Sequence, residues 1–387
     1  MTFSPHAALL PPGFADLLPP MAAHEAELTQ SLLRLYRSHG YELIRPPLLE
    51  FEDSLLAGAG SGLHAHTFRL MDPLSGRMLG LRADMTPQIA RIATTRIAAE
   101  PRPLRLAYAG QTVQQINSEH RPERQFGQVG FELIGSASAA ADAEAIILAC
   151  RSLAAIGITA STLDISLPTL ITSICGAYNV DAGTMRDLRH ALDRKDRAAV
   201  RKIGGAVAAL AVELLRLGGK IEPALEGLAK LELPAAAMAD CDHLRAVWEI
   251  VSAAKLPQQI MVDFVEHRGF EYQTGLSFTL FANTPRIELG RGGRYVSKGQ
   301  NDVGPGEPAT GFTFYTHGVL LAAPPSSLPQ RLYVPYGSNV AVAEQCRQQG
   351  FVTVAALMPD ADAAAAAKTL CCTHMLQNDQ PVKLDVS

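Results

Sequence analysis

At 387 residues, with 48% hydrophobic and 19% charged residues, the chain has a globular balance and the length for two or three domains. A net charge of -4 leaves no broad basic footprint, which sets nucleic acid aside as the default partner. The six cysteines (Cys150, Cys175, Cys241, Cys346, Cys371 and Cys372) lack paired spacing and fit buried thiols in a reducing cytosol; Cys371, Cys372 and His374 have no second ligand pair to complete a metal site.

The amino end, MTFSPHAALLPPGFADLLPP, has no basic start and is broken by prolines, so it makes a poor secretory or mitochondrial signal and implies a cytoplasmic protein. Pro20 opens a helical pattern with Leu28, Leu32, Leu35 and Tyr36 on one face and Gly40 placed to end it; a short strand, Tyr41 to Arg45, runs into Pro46 and Pro47. GAGSG at residues 58–62 has no following Lys-Ser or Lys-Thr and reads as a flexible loop, not a phosphate cradle. Thr86 reads as an N-cap with Pro87 at the first helical position, and Ile89, Ala93 and Ile97 form the buried side of that helix. AYAGQTVQQINSEHRPERQFGQVGFELIG, residues 107–135, alternates like two strands joined by a polar loop.

A helix around Ala140 to Ala155 follows, then a strand near Leu163 to Leu167 and an alanine- and leucine-rich helical insertion over about 168–255. Its cationic run (Arg186, Arg189, Arg194, Lys195, Arg197) is interleaved with Asp187, Asp193 and Asp196, the pattern of a solvated helix face. The apolar stretches Ala143 to Gly157 and Gly205 to Gly219 are interrupted by Arg151 and by Glu213 with Arg216, which excludes a continuous membrane span. Strand patterns return from Gln259, and Pro324, Pro325 and SSLPQ mark a linker. These patterns divide the chain into a domain over 1–325 and a small α/β domain over 330–387, the latter reading strand, helix, strand and a terminal hairpin.

On the second strand of the hairpin, Phe126, Gln128, Gly130, Glu132 and Ile134 share a face. An amide and a carboxylate set among apolar neighbours need partners, since an unpaired buried polar group costs about 1–3 kcal/mol. Either the protein or a ligand supplies them.

LRADMT (81–86), Gln128 with Glu132, HRGFEYQTG (267–275) and GRGGRY (290–295) occur in the order of the histidine-site motifs of histidyl-tRNA synthetase, and GYELIRPPLLE (40–50) resembles that family's dimer-forming first motif. The resemblance covers about residues 10–320 and implies an α+β fold: a class II synthetase-like antiparallel sheet flanked by helices, with the insertion and a shortened anticodon-binding domain. It also implies a histidine pocket without metal or cofactor. Asp84, Thr86 and Gln128 match positions that hold the ammonium, and Arg268 one near the carboxylate, where a guanidinium makes two parallel bonds. Glu132 and Tyr272 match imidazole contacts; the family's paired tyrosine is Gln273 here, able to hydrogen-bond a ring nitrogen, and its aspartate is Glu271.

The arginine that clamps the ATP α-phosphate is replaced by Gln114, a nearby glutamate by Ile116, and in GFTFYTHG, with Tyr315 and His317, the adenine-stacking arginine becomes Gly318. Such a pattern, with LRADMTPQIARIA, resembles the regulatory subunits of ATP phosphoribosyltransferase. That resemblance implies a chain without catalysis of its own. It would be a homodimer inside a hetero-oligomer with a short-form catalytic subunit, bind no tRNA, and pass histidine feedback to the first step of histidine biosynthesis. A divergent histidyl-tRNA synthetase and a free-standing amino-acid or tRNA sensor are the rival readings.

Overall fold

A computed structural model of the chain describes residues 10–116, 123–266, 273–298, 306–326 and 329–384. The chain divides into two compact units, 1–324 and 325–387, each taken by itself below.

The first unit opens with α1 (Met21–Ser38), which buries His24, Leu28, Leu32 and Tyr36 at one-turn spacing. Gly40, at φ +82°, lets the chain reverse after it. Next come β1 (Glu42–Leu43), β2 (Leu49–Phe51), α2 (Glu52–Leu55), a 3-10 helix (Gly58–Leu63), and the hairpin β3 (Arg69–Met71) and β4 (Met78–Leu81). The 3-10 helix corrects the expectation of a flexible loop at GAGSG. A Cβ on Gly60 would lie 2.1 Å from the Leu55 carbonyl oxygen, so this glycine serves close packing. The small β2-β4-β3 sheet was not foreseen, because two of its strands have only three residues.

After α3 (Thr86–Thr95), the strands β5 (Leu104–Val113) and β6 (Gln125–Ile134) form the hairpin, followed by α4 (Ala139–Ala155) and β7 (Ser161–Ser166). The helical segment holds α5 (Leu170–Ala177), α6 (Ala182–Asp193), α7 (Arg197–Ile203), α8 (Gly205–Leu217), the two-residue β8 (Gly219–Lys220), α9 (Ile221–Leu228) and α10 (Ala235–Ala253). Asp196 of the charged run is a cap, accepting from the Ala198 and Ala199 N–H groups, as Asp181 just before the run is for the Gly183 and Thr184 N–H groups. The unit closes with β9 (Gln259–Asp263), β10 (Gln273–Asn283), β11 (Arg286–Ser297), β12 (Glu307–Tyr315) and α11 (Thr316–Ala322).

Among the described residues, nine strands form one sheet in the order β1-β5-β6-β12-β11-β10-β7-β9-β8. From β5 through β7 every neighbour is antiparallel, and β1 and β9 join in parallel. This is the antiparallel sheet flanked by helices that the motifs implied. One face carries Val129, Phe131, Phe278, Phe312 and Phe314 against α1, α4 and α10. The Phe278 and Phe312 rings stack at 5.2 Å, and Tyr36 and Tyr41 meet Phe131 edge-on. The other face packs Leu104, Leu106, Tyr108, Ile134 and Tyr295 against Ile89 and Ala93 of α3. With both faces covered, β6 is buried from Phe126 to Ile134.

The second unit contains β13 (Arg331–Val334), α12 (Val340–Gln348), β14 (Val352–Ala355), α13 (Ala363–Thr369), β15 (His374–Gln377) and β16 (Gln380–Lys383). Its sheet runs β14-β13-β15-β16, parallel except for the final hairpin, whose turn residues Asn378 and Asp379 both take positive φ. Cys371 is exposed, against the expectation of six buried thiols; it follows α13 at φ +53°, where the chain turns outward. Among the described residues no three His, Cys, Asp or Glu gather as metal ligands, and no helix is long and apolar enough to cross a membrane.

One buried charge network ties the helical segment to the sheet. Asp142 of α4, fully buried, accepts from Arg294 Nε of β11 at 2.8 Å and lies 2.6 Å from His243 Nε2 of α10. Removing one partner strands the other charge in a place of low polarity. Asp142→Ala should therefore lower stability by about 3–5 kcal/mol in urea unfolding; a loss below about 1 kcal/mol would mean that water reaches Arg294.

Candidate functional site

The LRADMT segment leads from β4 into α3, and its polar groups turn toward β6. Thr86 does not cap the helix as expected: Met85 takes the cap position, and Thr86 is the first helical residue. Its hydroxyl instead donates to Glu132 Oε1 at 3.1 Å, while Asp84 Oδ1 accepts the Thr86 N–H at 3.0 Å. The carboxylate two residues upstream thus takes the first helical N–H, and the threonine hydroxyl faces the sheet. Gln128 Oε1 accepts the Met85 N–H at 2.9 Å, so β6 grips the same turn through its own amide.

Glu132 is 2% exposed, and three hydroxyls surround it. Thr86 and Tyr108 donate to Oε1 at 3.1 and 3.2 Å, and Tyr295 donates to Oε2 at 3.1 Å; Tyr108 is also 2.6 Å from Thr313 Oγ1. Burial pushes the Glu132 carboxyl up to about 8 and the Asp84 charge adds to the rise, while the three hydroxyls oppose it. Near neutral pH this acid mostly keeps its proton. Glycines make the room: a Cβ on Gly311 would lie 2.0 Å from Glu132 Oε2, and one on Gly130 2.5 Å from the Tyr108 hydroxyl. A cavity of about 10 Å³, lined by Thr86, Glu132, Gly292, Gly293, Tyr295 and Gly311 among others, has space on the scale of one water molecule.

Of the residues singled out from sequence, Asp84, Thr86, Gln128 and Glu132 converge here. Gln273 stands directly across the β10–β11 pair from Tyr295 and donates through Nε2 to the Gly292 carbonyl at 3.1 Å. Arg268, Glu271 and Tyr272 lie outside the described residues. Sequence reasoning missed Tyr108, Tyr295 and Thr313. Tyr295 ends the GRGGRY motif, and Tyr108 has a readable signal in the glycine opposite it, Gly130; Thr313 has none.

Gln114 donates through Nε2 to the Ala83 carbonyl at 3.2 Å, which stitches the hairpin to the LRADMT segment with a neutral group. At Gly318 a Cβ would lie 2.4 Å from the Glu288 carbonyl oxygen, so this backbone has no space there for any side chain. Glu288 in turn holds Arg291 through two bonds at 2.6 and 2.8 Å, and Arg82 is engaged by the Gln111 and Pro46 carbonyls. His317 Nε2 lies 2.9 Å from Glu123 Oε1, an ordinary surface pair.

The histidyl-tRNA synthetase family model matches residues 13–319. The chain is 49% identical to the ATP phosphoribosyltransferase regulatory subunit of Rhodospirillum centenum, over 96% of this chain and 95% of that one. It is also 49% identical to that of Paramagnetospirillum magneticum, over 100% of both chains. In fold it resembles an ATP phosphoribosyltransferase regulatory subunit/histidyl-tRNA synthetase from Bacillus halodurans C (TM-score 0.79, 22% identity, 95% of this chain and 97% of that one). It likewise resembles a histidyl-tRNA synthetase from Nostoc (TM-score 0.79, 18% identity, 97% and 91%).

The raised Glu132 pKa gives a signed expectation. The folded chain holds a proton that the unfolded chain releases from about pH 4.5, so this group's contribution is fully present below about pH 4.5 and is lost as pH rises to about 8. The loss runs at up to about 1.4 kcal/mol per pH unit within that window. Urea unfolding from about pH 4 to about pH 9 should show the parent losing stability relative to Glu132→Gln, which does not titrate; parallel curves would contradict the buried, protonated acid.

Proposed function

The chain belongs to the histidyl-tRNA synthetase family and, within it, to the ATP phosphoribosyltransferase regulatory subunits, and from that premise we propose that it is the histidine-sensing, non-catalytic partner of a short-form ATP phosphoribosyltransferase. On this reading it works in the cytoplasm as a homodimer inside a hetero-oligomer, without tRNA. It supports its partner's condensation of ATP with phosphoribosyl pyrophosphate, the first step of histidine biosynthesis, and carries the feedback.

The observation that carries the reading is the contrast between the buried Glu132 pocket and the neutral or absent side chains at Gln114 and Gly318. Asp84 and Gln128 each accept one backbone N–H, so a compact ammonium meets acceptors already fixed in place. Thr86 adds a hydroxyl beside them. Arg268 suits the carboxylate and Tyr272 the ring. A neutral amide at 114 does not balance phosphate charge, and losing one such preorganised donor costs about 3–4 kcal/mol of transition-state stabilisation.

Histidine regulates the assembly only by binding its active and inhibited states with different affinity. The test is to assay the short-form catalytic subunit with and without this chain across a histidine titration. Activity should depend on the chain and fall as histidine rises; a catalytic subunit indifferent to the chain, or a complex indifferent to histidine, would overturn the reading. Asp84→Asn and Arg268→Ala should each weaken histidine binding roughly 10- to 100-fold in calorimetry, the scale of one lost charged hydrogen bond. The inhibition midpoint should shift by the same factor, and unchanged affinity in both variants would place the ligand elsewhere.

A further inference from the structure

A groove of about 1070 Å³ opens where β7, β9 and β10 meet the helical segment. Its floor is the sheet face that carries Glu132, four strands further on: Glu132 pairs with Gly311, Gly311 with Gly293, Gly293 with Ser277 and Ser277 with Ser166 of β7. At the usual strand spacing that is roughly 19 Å, so the groove and the Glu132 pocket are separate.

Leu163, Ile165, Val262, Leu280 and Ala282 pack into the helix-covered core, so strand alternation turns Asp164, Met261 and Phe281 toward the groove. Asp164 stands on the middle strand, directly across from Met261 of β9 and diagonal to Phe281 of β10. The ring and the thioether are half-buried, and Asp164 Oδ1 is a buried atom with no hydrogen-bond partner among the described residues. Burial raises the Asp164 pKa; the Arg286 guanidinium opposes the rise and the Asp263 carboxylate adds to it. The other two carboxylates of the groove are committed, Asp263 to Lys195 and Asp196 to the N–H groups at the start of α7. At the rim stand two exposed guanidinium groups, those of Arg197 and Arg286; Arg197 donates one N–H to the Leu215 carbonyl at 3.4 Å and has others to offer.

We propose that this groove is a second ligand site, for a purine nucleotide carrying an exocyclic amine: the base lies over Phe281 and Met261, Asp164 accepts the amine N–H, and Arg197 and Arg286 hold the phosphate. A flat base suits a floor made of a ring and a polarisable thioether, and guanidinium forks suit phosphate oxygens. Length decides the class of ligand. Asp164 pairs with Thr279 and Arg286 with Asn283, four residues further along β10, which is roughly 13 Å of strand. A free amino acid has its ammonium and carboxylate on one carbon and does not span floor and rim, whereas a nucleotide separates amine from phosphate by the base and the sugar. The site stands independently of the histidine reading of the Glu132 pocket.

Calorimetry on the full chain with AMP, GMP and IMP tests this, with thermal unfolding as the control for folding. AMP or GMP should bind about tenfold or more tightly than IMP, which keeps the ring system and the phosphate but has no exocyclic amine. Asp164→Ala should bring the tighter nucleotide within about threefold of IMP while holding or raising the melting temperature, since it deletes a buried carboxylate that has no partner in the free protein. Replacing Arg197 and Arg286 together by alanine should weaken the tighter nucleotide and IMP alike, by about tenfold or more, because both carry the phosphate. If neither AMP nor GMP binds, if IMP binds as tightly as they do, or if the folded variants bind like the parent, the assignment is overturned.

Discussion

A carboxyl group held among three hydroxyls inside the sheet sets the geometry around it. Glu132 draws Thr86 from α3, Tyr108 from β5 and Tyr295 from β11 onto one point, so a helix start and two strands share a single polar centre. Glutamate at this depth is costly when ionised, and burial answers by holding the proton on. The pocket is consequently neutral in its interior and lined by groups that can donate or accept according to what arrives. Asp84, beside the helix start, is the charged member of the set.

Glycine is the second constraint. Gly130, Gly293 and Gly311 lie on neighbouring strands, each where a Cβ would strike a site side chain or backbone. A continuous sheet of ordinary residues would fill the slot. By contrast, Gly318 marks closed space: α11 rests so near the Glu288 carbonyl that a Cβ at this position would strike it. On the proposed reading, the amino-acid pocket and the place of Gln114 and Gly318 are separate parts of the fold, so recognition can persist without nucleotide handling there.

Much of this was legible in the chain. The β5–β6 alternation and the helix ending at Gly40 follow from periodicity, and the antiparallel sheet from the family resemblance that the separated motifs carry. The errors have physical causes. Thr86 has the residue type of an N-cap, but the helix starts one residue earlier than that reading needs, Asp84 takes the Thr86 N–H, and the hydroxyl turns to Glu132, a tertiary choice that local pattern does not encode. GAGSG reads as loop on composition, yet Gly60 packs against the Leu55 carbonyl. Thr313 carries no pattern at all; only the register of β6 and β12 brings it to Tyr108.

The central claim is that a pocket fit for histidine persists in a chain that has lost the groups for activating it. Histidine-dependent exchange of pyrophosphate into ATP, measured on the purified chain, tests that claim most directly. The account predicts no exchange above a protein-free control at histidine concentrations that saturate the chain; exchange that rises with histidine and requires this protein would contradict it.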